Sequence, residues 1–251
     1  MYKVGIDIGS TSCKAVAMKD NEIVHKILIP TGWSSKDAAY KVKEELESLG
    51  INESNTYYVS TGYGRISVPF ADKKVTEITC HGIGASYLFG DSGVVLDIGG
   101  QDTKVITIEN SKVQDFLMND KCSAGTGRFL EVMANILGLD IMELSKIAMD
   151  GENVTISSMC TVFAESEVIS LIGQGARKED IAFGVLDSIA SKVKSICFRH
   201  NKVDKYFLTG GLCENKYFIE MLKSKLEAEI VTCESGRFAG AIGAALLGKT
   251  K

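Results

Sequence analysis

The chain has 251 residues, which suits two modest lobes with cores of their own rather than two large domains. A net charge of −4 leaves no basic footprint, so nucleic acid is excluded as a partner class. With 45% apolar and 24% charged residues, the composition is that of a soluble globular protein. In chain order, Val4 to Ile8 reads as a short apolar strand ending at a Gly-Ser turn. A β-branched strand follows, and Ile23 to Ile29 makes a third after Asp20-Asn21. Ser34 or Ser35 caps a helix that runs to Leu49 and stops at Gly50. Thr56 to Thr61 is a strand. Glu77 to Phe89 is a helix that closes the first lobe, and the boundary is expected near Gly90 to Gly93, dividing the chain into 1–90 and 91–251.

The pattern then restarts. Val94 to Ile98 is a strand, a Gly/Gln turn and a second strand follow, and Val113 to Met118 comes after Asn110-Ser111. Helices are expected over Gly127 to Leu137, Ile141 to Met149 and Glu165 to Gly173. The longest is Lys178 to His200, with Ile181, Val185, Ile189, Val193 and Ile196 on one face. A strand over Lys205 to Thr209 leads into Gly210-Gly211. A helix (Tyr217 to Ala228), a strand (Glu229 to Cys233) and a Gly/Ala-rich helix (Gly236 to Leu247) complete the chain. The N-terminal strand is interrupted by Asp7 and lacks a signal-peptide core. The longest mostly apolar run, Ala239 to Gly248, is too short for a bilayer. A cytoplasmic protein without a membrane partner is expected.

Residues 7–16 read DIGSTSCKAV and residues 97–106 read DIGGQDTKVI, so Asp, Ile, Gly and Lys recur 90 residues apart. A turn of small residues lets backbone N–H groups approach phosphate oxygens and form an anion nest. Gly9, Ser10, Thr11 and Ser12 suit that role in the first copy, and Gly99, Gly100 and Gln101 in the second. Cys13 lies inside the first hairpin and is counted with it, its side chain packing. Asp7 and Asp97, each ending a first strand, can hold Mg²⁺ through waters from opposite lobes. Lys14 can neutralise phosphate charge, and Gln101 and Asp102 can orient an attacking water. One such turn alone is an ordinary hairpin. Two at matched offsets point to ATP.

Thr209-Gly210-Gly211, between a strand and a helix, lets the backbone pass close to a flat ligand. Ala239-Gly240 has the same permissiveness, and Gly127 opens a helix just after the second meander. In this order the set resembles the actin-like ATPases. That superfamily implies an α/β fold of duplicated ribonuclease H-like lobes with a nucleotide cleft between them. Gly127, Gly210, Gly211, Ala239 and Gly240 are then expected to contact the nucleotide.

Seven cysteines, an odd number with no CxxC pair, argue against a disulfide framework and a zinc knuckle. Cys122 and Cys160 each stand just before a helix, where a thiolate has a lowered pKa and ligates metal better. Spacing alone leaves both as buried thiols, the commoner case. Two such sites also make half of a Cys₄ iron–sulfur shell, which a twofold dimer would complete.

The stretches GIDIGSTSCKAV, STGYGR, EITCHGIGAS, LDIGGQDTKVI, MNDKCSAGTGRFLEVMA and SMCTVFAESEVISL decide further. In this order they closely resemble the ATP-dependent activators of (R)-2-hydroxyacyl-CoA dehydratases, relatives of the ATPase subunits of benzoyl-CoA reductase. The resemblance spans essentially the whole chain. It departs at Phe238, where relatives often have Tyr. It implies a homodimer with one [4Fe–4S] cluster between subunits, ligated by Cys122 and Cys160. It implies a ferredoxin or flavodoxin as electron donor and a dehydratase component as recipient. Two other readings use the same hairpins: an amino-sugar kinase, and an activator of another low-potential reductase such as a double-cubane cluster protein. Cys80-His81 has the look of a redox pair, though a helix interior or lobe contact is the commoner case. Arg65 can reach a phosphate or a partner or lie in a surface turn, Arg128 can contact ATP or the partner, and Trp33 sits in a turn region.

Overall fold

The computed structural model describes residues 1–90, 92–119, 125–157, 160–200 and 202–249. Among these, the strands are β1 (Tyr2–Ile8), β2 (Ser12–Lys19), β3 (Glu22–Pro30), β4 (Thr56–Thr61), β5 (Lys73–Lys74), β6 (Gly93–Ile98), β7 (Thr103–Glu109), β8 (Lys112–Asn119), β9 (Lys205–Gly210) and β10 (Glu229–Val231). The helices are α1 (Ser35–Ser48), α2 (Glu77–Phe89), α3 (Gly127–Ile136), α4 (Ile141–Ile147), α5 (Thr161–Gly173), α6 (Lys178–His200), α7 (Lys216–Leu226) and α8 (Ala239–Leu246). Short 3₁₀ turns cover Arg65–Ser67, Ala148–Asp150 and Gly236–Phe238.

The first sheet has the order β3-β2-β1-β4-β5 and the second β10-β9-β6-β7-β8. Read from the meander edge, both run third, second, first, fourth, fifth. The repeat seen in the sequence is therefore a repeat of topology. The turns match too. Asp20 and Asn21 have φ of 52° and 64°, and Asn110 and Ser111 have 51° and 60°. Left-handed backbone at both central positions is the twist-matched type I′ hairpin, which Asn and Asp tolerate best. In the first meander β1 pairs antiparallel with β2, setting Asp7 opposite Lys14. It pairs parallel with β4, setting Asp7 beside Thr61.

The contacts divide the chain into two compact units: 1–95 with 106–116 and 233–251, and 96–105 with 117–232. In the first unit, α1 is capped by Ser34, whose hydroxyl accepts from the Asp37 N–H at 3.2 Å, and Gly50 follows it at φ +77°. Its buried stripe Ala38, Ala39, Val42 and Leu46 packs on Val4, Ile6, Ile8 and Tyr58. Burial of a Val or Leu side chain contributes roughly 1.5–3 kcal/mol. Alternate residues of β2, Val16 and Met18, meet Ala241, Ile242 and Ala245 of α8 instead. That helix comes very close: a Cβ on Gly5 would lie 1.9 Å from the Ala241 carbonyl oxygen, and one on Gly84 the same distance from that of Ala239. The small residues of β1, α2 and α8 are thus a packing device.

In the second unit, α4 starts with a reciprocal capping box between Asp140 and Glu143. Asn215 caps α7 and donates to Ser145 Oγ at 2.6 Å. The expected face of α6, from Ile181 to Ile196, is buried. Helix α5 starts at Thr161 rather than Glu165, because Cys160 itself is the residue before the first turn, with extended backbone. The β-branched Thr161-Val162 hides that start from propensity. Helix α7 ends at Leu226, where Glu227 takes φ 53°, two residues before the expected end. The two-residue β5 has no periodicity to read. No helix among the described residues is long and apolar enough to cross a membrane.

Candidate functional site: two phosphate hairpins

The first hairpin closes where the Gly9 N–H donates to the Ser12 carbonyl at 3.1 Å. The Thr31 hydroxyl donates to the Gly9 carbonyl at 2.8 Å, and the Thr31 N–H to that of Thr11 at 3.0 Å. These bonds fix the tip, leaving Gly9, Ser10 and Ser12 half-buried and Thr11 exposed. Asp7 ends β1 and is 3% exposed. Its carboxylate sits between two glycine backbones. A Cβ on Gly62 (φ +83°) would lie 2.4 Å from Oδ1, and one on Gly240 would lie 2.7 Å from Oδ2 and 2.9 Å from His81 Nε2. No side chain fits at either position. A carboxylate held beside a small-residue turn is the donor set a hard cation such as Mg²⁺ takes. Lys14, half-buried, lies opposite Asp7 across the strand pair.

Cys13 belongs to the core under this hairpin and is fully buried. Burial first, and then the nearby Asp7 charge, push its thiol from an ordinary 9.0 up to about 12. Its place in the site is structural. Cys80 is pushed up to about 12 as well, again chiefly by burial. Cys80 packs in the core with Val59 and Ala244. His81 is 5% exposed, and its Nε2 stands 3.7 Å from Glu77 one helical turn earlier.

The second hairpin repeats the closure: the Gly99 N–H donates to the Asp102 carbonyl at 2.9 Å. Asp97, 2% exposed, accepts from the Thr209 hydroxyl at 2.8 Å and from the Lys104 ammonium at 3.2 Å. The same fully buried ammonium reaches Asp102 Oδ1 at 2.7 Å. Gln101 stands exposed at the tip, with Gly100 half-buried beside it. Gly210 (φ +89°) rides on the end of β6, where a Cβ would lie 2.2 Å from the Ile98 carbonyl oxygen, and the Gly211 N–H donates to that oxygen at 3.1 Å.

Helix α3 begins on the same hairpin. The Gly127 N–H donates to the Gly99 carbonyl at 2.9 Å, and the Arg128 N–H to that of Gly100 at 2.7 Å. The Thr103 hydroxyl donates to the Gly125 carbonyl at 2.7 Å. The second unit therefore gathers Asp97, Gly99, Gly100, Asp102, Gly127, Gly210 and Gly211 at one end of its sheet. The first gathers Asp7, Gly9 and Gly240, and Ala239 is fully buried beside them in the packing of α8 against α2. Sequence reasoning missed Lys104, although its offset from Asp97 copies that of Lys14 from Asp7. It also missed Gly62 and His81, whose proximity to Asp7 comes from distant segments.

Cys160 is a free, exposed cysteine directly before α5. Cys122 lies outside the described residues. The Arg128 guanidinium pairs with Glu131 at 2.8 Å, and Arg65 donates to the Gly62 carbonyl at 3.0 Å.

Comparison with known proteins agrees with this geometry. The (R)-2-hydroxyglutaryl-CoA dehydratase activating ATPase of Acidaminococcus fermentans is 44% identical over 250 residues, 98% of this chain and 96% of that protein. The 2-hydroxyisocaproyl-CoA dehydratase activator of Clostridioides difficile is 40% identical over 98% of this chain and 94% of that one. The crystal structure of component A of the Acidaminococcus fermentans (R)-2-hydroxyglutaryl-CoA dehydratase matches with a TM-score of 0.92 at 43% identity, over 99% of this chain and 97% of that chain. The Clostridium difficile activator with bound ADPNP matches with 0.91 at 39% identity, over 99% and 94%. A ROK family glucokinase from Streptomyces griseus shares the fold alone, with a TM-score of 0.58 at 14% identity over 99% of both chains. The α/β architecture is thus that of the actin-like ATPases. With duplicated hairpins of matched chemistry and a match that runs from residue 4 to residue 248, the chain belongs to the BadF/BadG/BcrA/BcrD ATPase family.

Proposed function

We propose that this ATPase drives single electrons into a (R)-2-hydroxyacyl-CoA dehydratase component, working as a cytoplasmic homodimer supplied by a ferredoxin or flavodoxin. The observation that carries the reading is the direct bonding of the α3 start to the second hairpin, through Gly127 on Gly99 and Arg128 on Gly100. Cys122 precedes that start by five residues. A change at the hairpin therefore reaches the proposed cluster segment through a few backbone bonds.

In this reading the backbones of Gly9 to Ser12 and of Gly99 to Gln101 bind phosphate oxygens. Asp7 and Asp97 are the residues that would hold Mg²⁺. Lys14 offsets phosphate charge, while Lys104 holds Asp97 and Asp102 in place. Gln101, exposed at its tip, and Asp102 orient water toward phosphate. Gly127, Gly210, Gly211, Ala239 and Gly240 serve the nucleotide by close backbone approach or by keeping room around Asp7.

Cys122 and Cys160 would hold a [4Fe–4S] cluster, two thiolates from each chain of the dimer. The exposed thiol of Cys160 at a helix start fits a shared ligand. Helix α5 also leaves Val162, Phe163, Ile169 and Ile172 exposed, an apolar surface beside that thiol suited to a second copy. The cluster supplies a store for one low-potential electron. Since ~60 mV is ~1.4 kcal/mol for one electron, ~300 mV costs roughly 7 kcal/mol, above a typical allosteric coupling of ~1–3 kcal/mol and in reach of ATP hydrolysis.

The test is anaerobic purification, iron analysis and electron paramagnetic resonance with and without ATP. A brown, oxygen-labile dimer with about four irons is expected, its signal altered by ATP and lost in Cys122→Ser and Cys160→Ser. An iron-free anaerobic protein overturns the reading.

A further inference from the structure

The surface around residues 62–67 carries features that the hairpins do not use. Trp33, the single tryptophan of the chain, is 96% exposed, Tyr63 78% and Ile66 73%. A Cβ on Gly64 would lie 2.7 Å from Ser35 Oγ. The turn bearing Tyr63 and Ile66 thus rests on the helix start that follows Trp33. Lys74 reaches this turn from β5, its ammonium 3.4 Å from the Ile66 carbonyl oxygen. Lysines on a short edge strand blunt the sheet edge against aggregation. That purpose does not account for an exposed Trp33, nor for an exposed Tyr63 and Ile66 with Arg65 between them in the turn, residue types that interface hot spots favour.

The same turn is tied to the nucleotide hairpin. The Gly64 N–H donates to the Ile8 carbonyl at 2.9 Å, and Gly62 has no room for a Cβ beside Asp7. The turn bearing Tyr63 is therefore packed and bonded directly against the end of the strand that carries Asp7. Charge selects the occupant. Lys36 in the first turn of α1, Arg65 in the turn itself and Lys74 bonded to it are set against Asp37 of the same helical turn and Asp72 just before β5, in a chain whose net charge is −4. A second copy docked by a twofold axis would set these cations against themselves. An acidic surface is complementary.

We infer that Trp33, Tyr63, Ile66 and Arg65 form a docking surface for an acidic face of the protein that receives the electron, positioned by the nucleotide at Asp7. This rests on the activator reading above. The experiment titrates (R)-2-hydroxyglutaryl-CoA dehydratase of Acidaminococcus fermentans with the wild-type chain and with Trp33→Ala/Tyr63→Ala and Arg65→Glu. Half-maximal activation should need roughly 30-fold more of each variant, with basal ATPase rate, iron content and elution volume unchanged. Added salt should weaken the wild type more than Arg65→Glu. An unchanged half-maximal concentration overturns the docking surface. A variant that becomes monomeric assigns the patch to self-association, and one that loses iron or basal ATPase assigns it to folding. Both results also overturn it. A wild-type chain that fails to activate overturns the activator reading instead, and with it the partner named here.

Discussion

Replacing Lys104 with methionine keeps the volume of a fully buried side chain and removes its charge from between two carboxylates. The ammonium lies 3.2 Å from Asp97 Oδ2 and 2.7 Å from Asp102 Oδ1. At an effective dielectric of ~20 these contacts carry about 5 and about 6 kcal/mol of Coulomb attraction. Desolvation of three charged groups offsets much of that. The loss on removing one partner from a buried pair is nonetheless about 3–5 kcal/mol, because the remaining charge stays buried. For a chain of this size each kcal/mol moves the unfolding midpoint by about 2–4 °C. Lys104→Met should therefore unfold roughly 6–20 °C earlier, measured by circular dichroism on nucleotide-free protein. The cause is electrostatic, so Asp97→Asn added to Lys104→Met should recover part of the loss. A single variant that melts with the wild type refutes the reasoning. A double variant no better than the single refutes the electrostatic cause.

The remaining expectations are compact. Gly243→Ala places a Cβ 1.8 Å from the Cys80 carbonyl oxygen, so it should cost ~1–3 kcal/mol or more by overpacking. Gly173→Ala, with nothing near its Cβ, should gain ~0.4–1 kcal/mol; paired urea titrations separate the two, and equal effects would sink the packing account. Gly240→Ala crowds Asp7 Oδ2 and His81 and should lower ATPase turnover more than it lowers the melting temperature. Burial pushes Cys13, Cys80 and Cys197 up to about 12. Unfolded thiols ionise near their ordinary 9.0. Between about pH 9 and 12 the unfolded chain thus holds fewer protons, and stability falls as pH rises, by up to ~1.4 kcal/mol per pH unit for each thiol. Cys13→Ala should make that slope shallower in urea titrations from pH 8 to 10.5, and an identical slope would count against the buried-thiol cause.

The hairpins were legible because their chemistry is local. Asp, Gly and Lys stand at fixed offsets within ten residues, and the turns Asp20-Asn21 and Asn110-Ser111 declare themselves by residue type. The cap and stop of α1 and the amphipathic face of α6 were legible for the same reason. What brings Gly62 and Gly240 to either side of Asp7 is tertiary. These segments lie far apart in the chain, and no periodicity links them. The glycines of EITCHGIGAS show the limit well. Their order suggests a motif, but their role is tertiary: Gly84 makes room for the backbone of α8 and Gly82 for Val113. Lys104 is legible from the repeat itself, because it follows Asp97 at the same offset as Lys14 follows Asp7.

The closure of α8 over β1 bears on synthesis. Residues 1–95 leave the ribosome with the sheet face that Ala241 and Ile242 will cover still bare, because 233–251 complete that unit. At about 5–20 residues per second, the interval is on the order of eight to thirty seconds. Through it, Val16 and Met18 face solvent or a chaperone. A nascent chain arrested before Gly236 should accordingly be bound by holdases and open to proteases, and release of the last stretch should make the first unit resistant in one step.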